Sequence, residues 1–268
     1  MHPFDESIAL QVQADGRLTG NAPKAYWNVV GPFGGITAAL LLQSVLRQDA
    51  MVGEPLVLTV NFTAPVLDVP FEITVEAAQT NRSTQHWLVQ MRQQPGVDQP
   101  LKTVATATVV TGVRRDQWRL QTARRPVAIA VDKAKRRDRR AGLAWFDRYD
   151  LRFFENPIKA DNPGEGFVTW VRDEPARTLD YPSLAAICDT LFPAIFAHQQ
   201  KYIPIATVSM QVYFHTTLAE LQAHAHDYLL VKGWSSVFHD GFSDSDGQVW
   251  AGERLIATTQ QVMWYRSG

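Results

Sequence analysis

The sequence predicts an α+β chain made of two related units, each a single antiparallel sheet curled around one long apolar helix. Three observations carry that expectation. Strand-like runs, with β-branched or aromatic residues in near alternation and Gly, Pro, Asp and Asn clusters between several of them, dominate the chain. Two stretches, residues 36–46 and 183–196, read instead as long apolar helices. The order of elements before a basic, aperiodic segment at 114–140 also returns after it. With 268 residues, 46% of them hydrophobic, the chain can fill one large core or two ordinary ones.

In the first unit a strand-like IALQVQ (8–13) leads to a turn at Asp15-Gly16 and an extended AYWNVV (25–30). GPFGG (31–35) then opens the helix ITAALLLQSVL. Four strands follow: LVLTVNFTAP (56–65), FEITVEAAQ (71–79), HWLVQMRQ (86–93) and TVATATVV (103–110). The segments RRDQWRLQTARRP (114–126) and DKAKRRDRR (132–140) have almost no periodic apolar residues and read as a linker, either a solvated connector or a basic rim for a phosphate-bearing ligand. The second unit repeats the order with LRFFENP (151–157), GFVTWVRDEP (166–175) and the helix SLAAICDTLFPAIF (183–196). Its later strands are ATVSMQVYFH (206–215), YLLVKGWSSVF (228–238), GQVWAGE (247–253) and LIATTQQVMWY (255–265). Val60 to Val66 line up with Val212 to Leu218, and Ala38-Ala39 with Ala185-Ala186. The expected division is therefore 1–113, a linker at 114–147, and 148–268, with the two sheets side by side.

Lys and Arg number 26 against 27 Asp and Glu, so no global field points to nucleic acid or a membrane surface. The single Cys188 cannot close an intramolecular disulfide. The start, MHPFDESIAL, is acidic where a signal peptide is basic, and no apolar run approaches the roughly 18 residues of a membrane span, so a cytoplasmic soluble protein is expected. Nucleophile-elbow, phosphate-loop and dinucleotide fingerprints are all missing. His224 and His226 lack further ligands nearby, so neither a metal nor a cofactor is expected.

Asp189 is the anomaly. On a helical wheel Leu184, Ile187, Cys188, Leu191 and Ile195 form one stripe, while Asp189 falls among Ala185, Phe192 and Phe196 in a second apolar stripe. A lone carboxylate there is heavily desolvated. Pro193 removes the N–H that would bond the Asp189 carbonyl, so a kink is expected. Either the acid is structural, as a cap or the partner of a linker arginine, or it is functional. Matching the two helices sets Leu42 opposite Asp189, so only the second unit carries the acid.

The run YWNVVGPFGGITAA, then CDTLFP, IATVSMQVYFH and ATTQQV, resembles the double-hotdog acyl-CoA thioesterases related to bacterial thioesterase II. The resemblance covers most of the chain and is weakest in the linker. It implies a tandem (double) hotdog fold and hydrolysis of acyl-CoA to a free acid and CoA. It also implies a water held by an Asp, a Thr and a Gln, which here fall on Asp189, Thr207 (eight residues before His215) and Gln261, with Gln260 as the alternative if the strand register differs by one. Ser209-Met210 stands where the family often carries Asp-His, and Tyr213 where Trp is common. Association through sheet edges into a homo-oligomer is expected by analogy.

In that reading Asp189 is the base or orienter, its pKa raised by apolar surroundings, and Thr207 and Gln261 fix the water. Backbone N–H groups at the helix openings, Gly34-Gly35 or the segment near Pro182-Ser183, are candidate oxyanion donors, although GPFGG also reads as a plain tight turn. Gln261 on its strand face and Thr207 on a face shared with Ser209, Gln211 and Tyr213 are both open to ordinary structural readings. Two other functions remain open at this level: a non-catalytic acyl-CoA-binding protein, or an acyl-thioester dehydratase or hydratase, whose usual His is missing because His198 lies at the far end of the second helix.

Overall fold

The computed structural model describes residues 1–137 and 142–267; the linker's 138–141 and the last residue lie outside the described residues. A short helix α1 (Pro3–Ser7) precedes strands β1 (Gln11–Val12) and β2 (Leu18–Asn21). The long helix α2 (Gly34–Leu46) is followed by β3 (Glu54–Phe62), β4 (Pro70–Thr80), β5 (Thr84–Gln93) and β6 (Lys102–Gly112). After the linker come β7 (Lys135–Arg136), β8 (Tyr149–Phe153), β9 (Phe167–Asp173), α3 (Tyr181–Ile187), α4 (Ala194–Gln199) and β10 (Ile205–Phe214). Helix α5 (Leu218–Ala223) and strands β11 (Leu229–Trp234), β12 (Phe238–His239), β13 (Phe242–Ala251) and β14 (Arg254–Tyr265) complete the chain.

The strands form one antiparallel sheet in the order β1-β2-β4-β5-β6-β3-β10-β14-β13-β11-β9-β8-β7, with β12 beside β13. Ranked along the chain, β2 to β6 run 1-3-4-5-2 from the outer side towards the seam; β9, β11, β13, β14 and β10, also read towards the seam, repeat that order. The seam is the β3–β10 pair, in which Thr59 stands opposite Gln211 and accepts a 3.2 Å hydrogen bond from it. The alignment of Val60 with Val212 makes Thr59 and Gln211 equivalent residues, so the internal pseudo-two-fold passes through this pair.

Helix α2 is buried almost all round, from Gly35 through Leu42 and again at Ser44 and Val45, which matches its apolar composition. It packs on β3, β4, β5 and β6 and against α3, all seven residues of which are buried. The two helices meet closely: a Cβ on Gly35 would stand 2.6 Å from the Ala186 carbonyl oxygen.

Several local expectations are corrected. The expected strand at 8–13 reduces to β1, preceded by α1, and 25–30 holds a 3-10 turn at Lys24–Tyr26 and a bridge between Trp27 and Pro32. Strand β2 and helix α5 were not expected, although Thr217 and Glu220 form a capping box that the sequence displays. The second long helix is two short ones. Helix α3 ends at Ile187, where the Thr190 hydroxyl takes the Ile187 carbonyl at 2.7 Å and Pro193 biases the preceding backbone away from helix. Beyond the first strands, Gln121 of the linker holds the β13–β14 turn at Glu253 and Leu255, and Ile129 accepts a bond from Trp170.

Candidate active site

Because α3 ends at Ile187, with Cys188 as its cap, Asp189 stands just past the helix and the wheel that placed it among Ala185, Phe192 and Phe196 does not apply. Its N–H bonds the Ala186 carbonyl at 3.1 Å, which fixes the backbone, and its side chain turns towards α2 and the sheet. Gln261 Nε2 donates to Asp189 Oδ1 at 2.9 Å. Thr207 Oγ1 donates in turn to Gln261 Oε1 at 3.4 Å, a longer and weaker bond. The amide orientation follows from chemistry, since only the NH₂ side can face a carboxylate.

The strand register explains why these residues meet. On β14, Gln261 is buried while Gln260 faces out, which settles which of the two glutamines points inward. On β10, Met210 is opposite Gln261 and Val212 opposite Thr259, but the register slips between Thr207 and Ser209, leaving Val208 as an extra residue. This bulge moves Thr207 to the inward face opposite Met263, away from Ser209, Gln211 and Tyr213. The expected sharing of one face is thereby corrected. The same slip occurs between Pro55 and Val57 on β3, at the equivalent place, so the bulge belongs to the fold and the second unit puts a threonine on it. In the first unit the positions matching the trio are Leu42, Pro55 and Val109, which hold no polar side chain.

The other side of the carboxylate is the opening of α2. A Cβ on Gly34 would lie 2.7 Å from Asp189 Oδ2, so only a glycine leaves the carboxylate that close to the helix start. The Gly35 N–H favours the ionised form of the carboxylate. Burial pushes the Asp189 pKa up to about 7, against the lowering effects of Gln261 and the Gly35 N–H. Asp189 as a residue is half-buried, and its side-chain hydrogen bond comes from the neutral amide of Gln261. A carboxylate poised near neutrality and held by the Gln261 amide is suited to taking a proton from water.

The remaining candidates separate cleanly. The Gly35 N–H favours the ionised Asp189 carboxylate, and Gly34 has an amide N–H without a hydrogen bond among the described residues. Ser183 lies in the capping box of Asp180 and is taken up by it. Cys188 is fully buried and its thiol pKa is raised by desolvation, as befits a core residue. His224 faces Asp227 at 3.3 Å. Ser209, at the first departure from the family pattern, bonds Asn61 and the Val60 carbonyl across the seam, while Met210 fills the inner face below Gln261. Two shallow surface clefts of about 380 and 470 Å³ lie along the N-terminal segment, lined by none of the trio.

Two family models match nearly the whole chain: the acyl-CoA thioesterase N-terminal domain over residues 23–112 and the acyl-CoA thioesterase C-terminal domain over 122–265. The chain belongs to the acyl-CoA thioesterase family. A hot dog fold protein of unknown function from Alicyclobacillus acidocaldarius is similar over 100% of this chain and 99% of its own, at 34% identity and a TM-score of 0.93. An acyl-CoA thioesterase II from Mycobacterium marinum is similar over 99% and 98% of the two chains, at 18% identity and a TM-score of 0.77. The dehydratase domain of RzxB from Pseudomonas fluorescens shares the fold at 12% identity, with a TM-score of 0.62 and full coverage of both chains. Among curated proteins none matches. The fold is thus a hotdog type, a large antiparallel sheet with few helices, and among the described residues no helix is long and apolar enough to cross a membrane.

Proposed function

We propose that the protein hydrolyses an acyl-CoA thioester to a carboxylic acid and CoA, on a tandem hotdog whose units, 1–113 and 148–268, are joined by 114–147. The observation that supports this most directly is the Thr207–Gln261–Asp189 chain of hydrogen bonds, which ends on a carboxylate with a pKa near that of neutral water solutions. Asp189 takes a proton from a water as its oxygen attacks the thioester carbon. The tetrahedral oxyanion is met by the free N–H of Gly34 at the positive end of α2. Collapse expels the CoA thiolate, which needs no strong acid because a thiol pKa is only about 8.5. Gln261 fixes the carboxylate and Thr207 fixes Gln261; both are positioning residues.

The departures at Ser209 and Met210 leave the trio intact, since one lies on the outer face and the other packs beneath it. The decisive experiment is thiol release from a panel of acyl-CoA thioesters by the wild-type protein and Asp189→Asn. A loss of about 10²- to 10⁴-fold in kcat/KM with an unchanged melting temperature is expected. Equal activity in the two proteins would remove the base, and stabilisation by acyl-CoA without any CoA release would make the protein a binder.

A further inference from the structure

Beyond Gln261, the inward face of the sheet becomes unusually small and polar. On β14 the next inward residue is Thr259; opposite it on β13 is Gly247, and opposite that on β11 is Gly233. Ser245, buried, stands across from Gln261 itself. The space left by the two glycines is filled by Leu191, with the Thr259 methyl against Gly247. A Cβ on Gly247 would lie 2.8 Å from Leu191 Cδ2 and 2.7 Å from Thr259 Cγ2, and a Cβ on Gly233 would lie 3.1 Å from Leu191 Cδ2. Leu191 follows Asp189 by two residues, so the loop that carries the carboxylate also seats this leucine.

Thr259 supplies an independent sign. It is 3% exposed and its Oγ1 is buried without a hydrogen-bond partner among the described residues. Leaving a buried hydroxyl unpaired costs roughly 1–3 kcal/mol, which a ligand oxygen reaching it would recover. Two residues of strand, about 7 Å, separate Thr259 from Gln261, which places the hydroxyl a few bonds from a thioester carbonyl held near Asp189.

We infer that this corner is the acyl pocket: Leu191, seated on Gly233 and Gly247, ends it, and the Thr259 hydroxyl pairs with an oxygen on the acyl chain, so the substrate is a short acyl-CoA bearing a hydroxyl or oxo group. The inference rests on the thioesterase reading. Chain length is set by a removable plug, and the polar preference by a single hydroxyl.

The test compares butyryl-, 3-hydroxybutyryl-, hexanoyl- and decanoyl-CoA on the wild-type protein, Leu191→Ala, the milder Leu191→Val, and Thr259→Val. The wild-type protein should favour 3-hydroxybutyryl over butyryl, and butyryl over decanoyl. Leu191→Ala should raise the decanoyl-to-butyryl ratio of kcat/KM by at least about tenfold, Leu191→Val by less, and Thr259→Val should remove a preference for the hydroxyacyl of about tenfold. A wild-type preference for decanoyl, or a chain profile that both Leu191 variants leave unchanged, overturns the plug; a hydroxyacyl preference surviving Thr259→Val overturns the pairing. Should the wild-type protein release no CoA from any thioester, the hydrolase reading falls, and thermal shifts with non-hydrolysable thioether analogues of the same four chains decide the pocket by the same pattern.

Discussion

Gln261 and Asp189, 72 positions apart in sequence, meet at 2.9 Å with the amide N–H pointing at the carboxylate. This contact crosses from the last strand of the sheet to the loop after α3 and fixes a group that would otherwise swing freely. Gln261→Ala is therefore expected to lower kcat/KM by about 10²-fold, some 3 kcal/mol of transition-state stabilisation, with KM little changed. Thr207→Val acts one bond further away through a 3.4 Å contact and should lose about tenfold. Steady-state kinetics on the two variants checks the order; a larger loss for Thr207→Val would mean that Thr207 touches the water itself.

The pH dependence follows from the same carboxylate. Desolvation raises the Asp189 pKa to about 7, while the bonds from Gln261 and Gly35 pull it down. A base works only when ionised, so kcat/KM should rise about tenfold per pH unit up to about pH 7 and then level. Removing the Gln261 bond takes away a lowering influence, so the profile of Gln261→Ala should bend at higher pH than the wild type. A bend that moves down, or a flat profile in both, would show that another group carries the proton.

Much of this arrangement could be read from the residues, and the parts that could not have a common cause. The order of strands and the apolar α2 follow from alternation and composition, which are local signals. Asp189, Thr207 and Gln261 were singled out by an acid in apolar surroundings together with a family resemblance. The end of α3 at Ile187 is masked in the sequence because apolar periodicity continues through Phe196 even though the Thr190 hydroxyl and Pro193 break the backbone ladder. The inward turn of Thr207 was hidden because a bulge at Val208 is a property of strand pairing, invisible in one strand. Leu191 and Thr259 carried no signal at all: the glycines that seat the leucine lie on two other strands.

A second buried carboxylate gives a stability prediction independent of catalysis. Asp173 is 1% exposed, and among the described residues neither oxygen has a hydrogen-bond partner. Desolvation raises its pKa to about 7 despite the opposing charge of Arg177. A folded-state pKa above the unfolded value of 3.8 means the native state holds the proton longer, so stability is greatest below about pH 4 and declines as pH rises to about 7. Asp173→Asn removes this decline and should gain on the order of 2 kcal/mol at pH 8, with little change near pH 4. Urea melts at the two pH values measure it; an equal effect at both would mean that charge is not the cause.

The paired glycines at the start of α2 separate chemistry from folding. At Gly34 an added methyl would stand 2.7 Å from Asp189 Oδ2 and 3.4 Å from the Phe62 ring, and the carboxylate is the end of a side chain that can move aside. The backbone there is helical, where alanine is favoured over glycine by about 1 kcal/mol. Gly34→Ala should thus keep or raise the melting temperature while displacing Oδ2, and kcat/KM should fall by about 10²-fold. At Gly35 the methyl would stand 2.6 Å from the Ala186 carbonyl oxygen and 2.5 Å from the Phe33 ring, neither of which yields without moving α2 away from α3. Gly35→Ala should therefore lose roughly 1–3 kcal/mol of stability as well as activity. Melting curves beside thiol-release rates distinguish the two, and an active Gly34→Ala protein would show that the carboxylate tolerates displacement from the helix opening.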